Sequence, residues 1–411
     1  MEKKFLTSII LTSLLIISIS SLSGCAKSQI RERGKNEEIR VALGHKISKI
    51  MISSSSGIKI STPDGGILLR KKDTLFIEYD NIEFKMYLNR NKRIKTNALP
   101  VYFTPLNRGM FTYNGMIYRG KLIVKKDADE FLLAINQLSM EDYLKGVVPA
   151  EIGKLNIKMI EASKAQAIAA RTYAFAHLRK HSDMGYDIEC TVQDQVYMGY
   201  FLEDSMTNRA IEETKGIIAF YKNLPIDAKY HSTCGGYTSN NENEWGGEPV
   251  PYLRGTFDGE GCLFKKVYCS KSKHYKWSYE YSKDDFYNMI SRNYSNLKKN
   301  NIKAVDVYVS KRDKYKRVVE MTIKDKSGNK YTVKGFDIRK MFTFEEHLGG
   351  ILKSRNFTID RKGKKIIING GGYGHGVGMC QYGAMEMANS GKNYKQILTH
   401  YYKGIQLKKI Y

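Results

Sequence analysis

The chain has 411 residues, 42% of them hydrophobic and 27% charged, which excludes a disordered, collagen-like or polytopic membrane protein. Its 67 Lys and Arg residues against 42 Asp and Glu residues give a net charge of +25. This charge favours an anionic partner such as nucleic acid, lipid headgroups or bacterial wall polymers. Because the basic residues are scattered, with no run longer than Arg70-Lys71-Lys72, we expect no nucleic-acid partner.

The N-terminus has the pattern of an export signal. Lys3 and Lys4 precede a long apolar segment, which ends in Leu22-Ser23-Gly24-Cys25. This tetrapeptide resembles a bacterial lipoprotein signal, in which the cysteine is acylated and becomes the new N-terminus; a plain signal anchor is the alternative. We therefore expect a signal peptide at residues 1–24, lipidation at Cys25, a tether at 25–38 and a lipid-anchored protein on the outer face of the cytoplasmic membrane.

Period-two patterns separated by turn residues predict strands from Ile39 to about residue 138, with a tight turn at Pro63-Asp64-Gly65-Gly66. Residues 157–179 are the clearest helix, because an Ala-rich stripe recurs every three or four positions. The later predictions are a short helix from about 210, loops at 231–255, helix and linker at 273–300, strands at 305–335 with a turn at Ser327-Gly328-Asn329, strand from 356, and short helices at 384–388 and 394–402.

These elements predict an α+β fold, rich in antiparallel sheet, with a central buried helix and a strand-rich N-terminal part. We expect residues 39–411 to form one module. Residues 39–140 would be its strand-rich part, and residues 141–411 would carry the active site.

Glu151 is the first candidate for chemistry. It follows an apolar run that contains Pro149 and precedes the predicted buried helix, so it should be partly desolvated. Desolvation raises the pKa of a carboxyl group and keeps it protonated, as a general acid requires. The alternative is a carboxylate that merely favours a helix N-terminus.

Three short segments, here called islands, combine glycine with polar or titratable groups: the first is Gly146–Ile152 around Glu151, the second is Tyr230–Thr238 and the third is Gly370–Gly383. In Tyr230–Thr238, His231 and Cys234 have the chemistry of a base and a nucleophile, but no third partner is identifiable, and a turn with a structural histidine is the alternative. The stretch Gly370–Gly383 has GxGxxG-like spacing without a βαβ unit, which argues against a dinucleotide site. Its glycines indicate that the backbone approaches a ligand or another loop, or that the loop is purely structural.

Five motifs together resemble one family. EDYLKGVVPAEI, KAQAIAARTYA, TVQDQVYMG, YHSTCGGYTSNNENEWG and GHGVGMCQYGA, in this order, are similar to the stage II sporulation protein D family, which shares its domain with amidase-enhancer proteins. The resemblance covers Ile39 to Tyr411. It implies a peptidoglycan lytic transglycosylase that cleaves the β-1,4 bond between N-acetylmuramic acid and N-acetylglucosamine, leaving 1,6-anhydro ends. It also implies a partner amidase and a role in forespore engulfment.

The resemblance makes Glu151 the catalytic carboxylate. A hydrolase usually needs two carboxyl groups, whereas in a transglycosylase the sugar's own 6-hydroxyl replaces water, so one is enough. The alternative function is a non-catalytic wall-binding module that stimulates an N-acetylmuramoyl-L-alanine amidase. The residues expected to bind glycan strands are Gln166, Arg171, Gln195, Tyr197, His231, Ser232, Gly235, Tyr237, Thr238, Trp245, His375 and Gln381.

Some family members bind zinc through a His and two Cys after the long helix. Here only His181 and Cys190 lie in that stretch, short of the three protein ligands that zinc normally needs. We therefore expect no cofactor and no tightly held zinc; zinc found there would point to Asp194 or His177 as the missing ligand. Five cysteines remain besides Cys25; a Cys262–Cys269 bridge is open, and without a CxxC pair a four-cysteine zinc site is not expected.

Overall fold

The computed structural model of the chain describes residues 38–80, 82–94, 99–261, 266–342 and 350–411. The signal peptide, Cys25, the tether up to residue 37 and Cys262 lie outside these ranges, so the predictions that concern them stay predictions. The described residues form helices and several antiparallel sheets, and the predicted α+β class is confirmed. No helix in these ranges has the length and hydrophobicity of a membrane span.

The N-terminal part is built of strands, as predicted. They are β1 (Glu38–Ile47), β2 (Lys49–Ser53), β3 (Ile58–Thr62), β4 (Gly65–Leu69), β5 (Thr74–Tyr79), β6 (Phe84–Leu88), β7 (Lys92–Ile94), β8 (Val101–Pro105), β9 (Phe111–Tyr113), β10 (Met116–Tyr118), β11 (Lys121–Lys126) and β12 (Leu132–Ser139). The predicted turn at Pro63 and Asp64 joins β3 to β4, with Thr62 opposite Gly65.

These strands form two sheets that bury one common core. With β13 (Ile188–Glu189), the first sheet has the order β13-β1-β12-β11-β8-β3-β4, and the second has the order β10-β9-β2-β5-β6-β7. Alternate residues of β1, such as Ile39 and Val41, are buried, as the period-two pattern requires. Strand β12 runs antiparallel to β1 and leads directly into the first helix.

Helix α1 (Met140–Ile152) was not predicted as a helix. The Ser139 side chain caps it by accepting from Asp142 N at 3.2 Å, and two acidic residues in the first turn complement the helix dipole. Gly146 allows close packing, since a Cβ there would lie 2.5 Å from a ring carbon of Tyr197. Pro149 lies inside the helix, so packing outweighs its cost there.

Helix α2 (Ile160–Ala176) is the predicted central helix, preceded by a 3-10 turn (Ile157–Met159). It is buried on nearly every side, and its alanines let neighbouring helices approach closely. The remaining helices are α3 (Ser205–Glu213), α4 (Asn241–Trp245), α5 (Lys283–Asn293), α6 (Ser295–Lys299), α7 (Asp337–Lys340), α8 (Gln381–Asn389) and α9 (Tyr394–Tyr401). Helices α1, α3, α8 and α9 all contact α2.

A second core lies between residues 277 and 368. It is formed mainly by the strands between residues 277 and 370 with α5 to α7, and it is distinct from the core of the sheets and α2. The remaining strands are β14 (Ile217–Tyr221), β15 (Leu224–Pro225), β16 (Tyr230–His231), β17 (Gly259–Glu260), β18 (Lys266–Val267), β19 (Trp277–Ser282), β20 (Ala304–Arg312), β21 (Val318–Asp325), β22 (Lys330–Lys334), β23 (Phe357–Lys362), β24 (Lys365–Gly370), β25 (Met379–Cys380) and β26 (Gln406–Lys409). The turn predicted at 327–329 joins β21 to β22.

Short pairings bring the second and third glycine-rich islands together. Strands β16 and β25 run parallel, with Tyr230 opposite Met379 and His231 opposite Cys380. The close approach requires glycine: Gly374 has φ of +109°, and a Cβ there would lie 2.9 Å from the Cβ of His231. In the Gly370–Gly383 segment, Gly374 thus allows another loop to approach closely, which is one of the two predicted reasons for its glycines.

Candidate active site

A cleft of about 670 Å³ lies where the three islands meet. Glu151 lines it from the last turn of α1, beside residues of the β16 and β25 segments. The predicted site residues that line the cleft are Glu151, His231, Ser232, Trp245, His375 and Gln381.

Glu151 is surrounded by protein on most sides, and burial raises the pKa of its carboxyl group above the ordinary value of 4.5. Val196 N donates to its Oε1 at 2.9 Å. The side chains of Gln381 and Tyr230 also hydrogen-bond the carboxyl group and favour its ionised form, but burial outweighs them. Glu151 precedes the buried helix α2, as expected, but it lies at the C-terminal end of α1, so the alternative of a carboxylate at a helix N-terminus is wrong. The negative end of the α1 dipole also disfavours ionisation.

Two glutamines lie behind Glu151 rather than in the open cleft. Gln195 is buried; its Nε2 donates to the Tyr230 hydroxyl at 2.9 Å, and its Oε1 accepts from the Tyr143 hydroxyl at 3.1 Å. Gln166 is also buried and accepts from Gln381 Nε2 at 3.4 Å. Both therefore hold the groups that contact Glu151, a positioning role instead of the expected groove lining.

A second carboxylate, Asp194, borders the cleft but is not exposed. Its Oδ1 accepts from the Tyr173 hydroxyl at 2.6 Å and pairs with Lys180 at 2.7 Å, and its Oδ2 accepts from Glu189 N at 2.9 Å. Burial alone would raise its pKa, but these donors outweigh burial and the pKa of Asp194 is lowered. The pKa values of the two carboxyl groups therefore shift in opposite directions: that of Glu151 is raised and that of Asp194 is lowered.

The two histidines of the cleft are neutral near pH 7. His375 Nε2 donates to the Tyr230 carbonyl at 2.9 Å, and His375 Nδ1 accepts from Val377 N at 3.1 Å. His231 Nδ1 donates to the Val377 carbonyl at 3.1 Å, which leaves its Nε2 as a buried acceptor with no partner in the described part of the chain. Burial lowers the pKa of His231 to about 3 and holds the pKa of His375 well below its usual range.

The rim of the cleft combines aromatic and cationic side chains. Trp245 is 48% exposed and Tyr373 is 45% exposed, and the Trp245 ring lies 5.1 Å from that of His375. Lys229 Nζ lies 5.8 Å from the Trp245 ring, and Arg339 also lines the cleft. Sequence reasoning did not select Tyr373, Lys229 or Arg339; only Tyr373 had a signal, its place among the glycines of the third island.

Arg171 and Tyr197 do not line the cleft as expected. Arg171 is fully buried, and its guanidinium donates to both carboxylate oxygens of Glu141 at 2.8 and 2.7 Å. Tyr197 is also buried, and its hydroxyl donates to Asn136 Oδ1 at 2.8 Å. Both residues link α1 and its surroundings, so the predicted contact with substrate is corrected to a structural role.

Gly235, Tyr237 and Thr238 also lie outside the residues that line the cleft. A Cβ at Gly235 would lie 2.9 Å from the carbonyl carbon of Gly371, and the Tyr237 ring stacks on Tyr315 at 5.5 Å. The Thr238 hydroxyl is buried and accepts a backbone N–H at 2.8 Å. These three residues shape the loop behind His231 instead of presenting groups to the cleft.

His181 and Cys190 have protein partners within the described residues. The His181 ring stacks on Tyr186 at 4.8 Å, and Cys190 Sγ donates to the Leu43 carbonyl at 3.9 Å. Of the two candidates for a third ligand, Asp194 is engaged as described above, and His177 Nδ1 donates to the Tyr173 carbonyl at 2.8 Å. The expectation of no zinc at these residues stays a prediction. Neither His181 nor Cys190 belongs to the group of ligand-type side chains that the described ranges bring together.

A carboxyl group whose pKa is raised by burial, in a polar and aromatic-rimmed cleft, has the properties that a general acid needs. Residues 128–221 match the family described as Stage II sporulation protein, and residues 239–378 match a domain of unknown function. Bacillus subtilis (strain 168) has a protein named Stage II sporulation protein D that is 32% identical over 289 residues, covering 67% of this chain and 76% of that protein. The chain therefore belongs to the stage II sporulation protein D family, as its motifs predicted.

Two other relatives have names that do not mention sporulation. An uncharacterized protein of Brachyspira hyodysenteriae is 33% identical over 329 residues, covering 79% of this chain and 82% of that protein. A Bacillus subtilis protein named Amidase enhancer is 31% identical over 291 residues, but only 40% of its length is covered. Glu151 lies in the segment that matches the sporulation family, whereas Trp245 and His375 lie in the other matched domain.

Proposed function

We propose that this protein is a lytic transglycosylase that cleaves the β-1,4 bond between N-acetylmuramic acid and N-acetylglucosamine in peptidoglycan and leaves 1,6-anhydro ends. The observation that carries the proposal is Glu151, a carboxyl group whose pKa is raised by burial and which lines an open cleft. A general acid must hold its proton until the transition state, and this environment meets that need.

Glu151 serves first as acid and then as base. Its carboxyl proton passes to the glycosidic oxygen while the bond between that oxygen and C1 breaks. The resulting carboxylate takes the proton of the 6-hydroxyl while O6 bonds to C1 of the same sugar. The proton on Glu151 is thereby restored. The reaction uses no water and needs no second catalytic carboxylate.

Asp194 does not fit the second role that a hydrolase requires. Both of its oxygens accept hydrogen bonds from protein groups, and its side chain is 0% exposed. A base or nucleophile needs an oxygen within reach of water or the sugar. The cleft therefore supports the one-carboxylate reaction better than hydrolysis.

The remaining cleft residues suit a polyhydroxyl, anionic glycan. His231 Nε2 is a buried, neutral acceptor at the cleft with no partner among the described residues, and we propose a sugar hydroxyl as its donor. Trp245 and Tyr373 offer exposed aromatic faces, and Lys229 and Arg339 add positive charge. The net charge of +25 favours the same class of anionic polymer.

We further propose that the protein acts from the outer face of the cytoplasmic membrane, anchored at Cys25, in wall remodelling during engulfment and together with an amidase. Two names support this setting: the sporulation protein of Bacillus subtilis and the relative named Amidase enhancer. The apolar segment before Cys25 supports the anchor.

The relative named Amidase enhancer favours a second candidate, a non-catalytic wall-binding module that stimulates an amidase. Product analysis of purified glycan strands incubated with the protein alone separates the candidates. A transglycosylase produces 1,6-anhydro ends, a hydrolase produces reducing ends, and a binding module produces neither. Anhydro ends without added amidase support the proposal; their absence, with strand binding intact, supports the module.

A further inference from the structure

Four ligand-type side chains outside the catalytic cleft converge from separate segments. Cys234 lies in the loop after β16, Asp258 immediately precedes β17, Cys269 lies in a 3-10 turn after β18, and Cys380 ends β25. All four residues are 0% exposed. One ligand atom from each lies within 4.8 Å of the others.

The distances match a single metal ion better than a disulfide. The sulfur atoms of Cys234 and Cys269 are 3.5 Å apart, whereas a disulfide bond is about 2.05 Å long. Zinc–thiolate bonds of about 2.3 Å place the sulfurs of a tetrahedral site about 3.8 Å apart. The cluster is therefore close to the size of a tetrahedral site.

Neighbouring donors already orient these ligands. Cys234 N donates to Cys380 Sγ at 3.3 Å, and Gly236 N donates to Cys234 Sγ at 3.3 Å. The Tyr401 hydroxyl donates to Asp258 Oδ1 at 2.6 Å. N–H groups aimed at sulfur and a hydroxyl aimed at a ligating carboxylate are the outer contacts that hold metal ligands in place.

We propose that Cys234, Asp258, Cys269 and Cys380 bind one structural zinc ion. Three thiolates and one carboxylate fill the four positions that zinc prefers and leave none open for water, as in structural sites. The site is separate from His181 and Cys190. The proposal therefore replaces the expectation that this protein holds no tight zinc.

The ion would fix two walls of the catalytic cleft. Cys234 is three residues from His231, and Cys380 directly precedes Gln381, which hydrogen-bonds Glu151. Zinc joins these two segments to the Asp258–Cys269 segment. Sequence reasoning missed the site because its ligands are far apart in the chain and lack a CxxC pair.

Metal analysis of the full-length chain, purified in detergent with reductant and without added metal, tests the proposal. We expect about one zinc per chain in the wild type, and near none in Cys380→Ser and Asp258→Asn. Cys190→Ser is the matched control and should keep its zinc, because Cys190 lies outside the cluster. Zinc retained by both cluster variants would place the ion elsewhere and overturn the proposal.

A second measurement does not depend on the variants folding. Wild-type protein stripped of metal is titrated with Co²⁺, which should produce the visible bands of a tetrahedral site and the charge-transfer bands of thiolate ligands. Zinc should displace the cobalt and raise the Tm of the stripped protein. Failure to bind Co²⁺ or zinc, or a Cys234–Cys269 disulfide found by peptide mapping of the purified protein, would overturn the proposal.

Discussion

We expect the protonation of Glu151 to set the pH range in which the cleft can act. Because burial raises the pKa of this carboxyl group, we expect kcat/KM for glycan cleavage to persist above the ordinary value of 4.5 and to fall as pH rises through the raised pKa. The measurement is the pH profile of kcat/KM. A basic limb at the ordinary pKa of an exposed glutamate would contradict the assignment.

The same pKa shift has a consequence for stability. A raised pKa in the folded state means that the stability from binding this proton is fully present below 4.5 and is lost as pH rises through the folded pKa. Relative to wild type, Glu151→Gln should therefore gain Tm as pH rises through that window, because Gln carries no charge to bury. An unchanged Tm difference across the window would show that Glu151 is not desolvated.

Trp245 is predicted to bind the glycan strand. We expect Trp245→Ala to weaken strand binding by about fivefold or more, because tryptophan is enriched among the binding residues whose truncation costs more than about 1 kcal/mol. Phe201→Ala is the control, since Phe201 is 68% exposed and does not line the cleft. Strand co-sedimentation compares the two; equal affinities would remove Trp245 from the binding surface.

Polar and titratable residues next to glycine or proline in the sequence predicted many of the residues that line the cleft. The sequence did not predict the direction in which each side chain points. Glu151, His231 and His375 line the cleft as expected. Arg171, although in a motif, turns instead toward Glu141. Such orientation depends on partners far along the chain, which local patterns do not encode.

Helices α1 and α2 hold the Glu151 carboxyl group in place, and the Arg171–Glu141 pair joins them. Removing one partner of a buried ion pair leaves a buried charge, so we expect Arg171→Ala to lower the free energy of unfolding by about 3–5 kcal/mol. Arg209→Ala, which breaks the exposed pair with Glu213, should cost at most about 1 kcal/mol. Denaturant unfolding measures both variants.

The opposite result would restore the original interpretation of Arg171. If Arg171→Ala unfolds like wild type but binds glycan strands more weakly, Arg171 contacts the substrate and the ion pair is not structural. Equal losses of stability in Arg171→Ala and Arg209→Ala would show that burying the Arg171–Glu141 pair adds nothing to its contribution to the free energy of unfolding.

Element types were predictable where the pattern is local and periodic. Helix α2, the N-terminal strands and the turns at 63–66 and 327–329 follow their patterns. Helix α1 was missed because Gly146 and Pro149 lower helix propensity, which packing against Tyr197 and α2 overrides. Strand β19 was missed because its partner, β24, lies far along the chain.

At the scale of the whole molecule, the cleft exists only because distant segments meet. The pairing of β16 with β25 spans nearly 150 residues, since His231 lies opposite Cys380. Neither this pairing nor the second core at 277–368 has a local sequence signal. The family resemblance indicated that the islands belong together, whereas the residues alone did not.

Anchoring is predicted to depend on Cys25. We expect Cys25→Ala to leave the protein unprocessed or released from membranes, because stable anchoring takes acyl chains, assisted here by the charge of +25 on an anionic leaflet. Membrane fractionation and mass analysis of the N-terminus check this, with Cys190→Ala as the control. Normal processing and unchanged fractionation of Cys25→Ala would rule out the lipoprotein interpretation.

The central claim is that Glu151 transfers the proton in glycan cleavage. Glu151→Gln keeps the shape of the side chain but removes the transferable proton, so the rate should fall by about 10²–10⁴-fold while strand binding persists. Glu212→Gln, on the exposed face of α3, is the matched control and should cleave at the wild-type rate. The most direct test is the rate at which folded Glu151→Gln releases 1,6-anhydro ends from purified strands. A rate near that of Glu212→Gln would contradict the account, and the loss of anhydro ends in Glu151→Gln alone is the result it predicts.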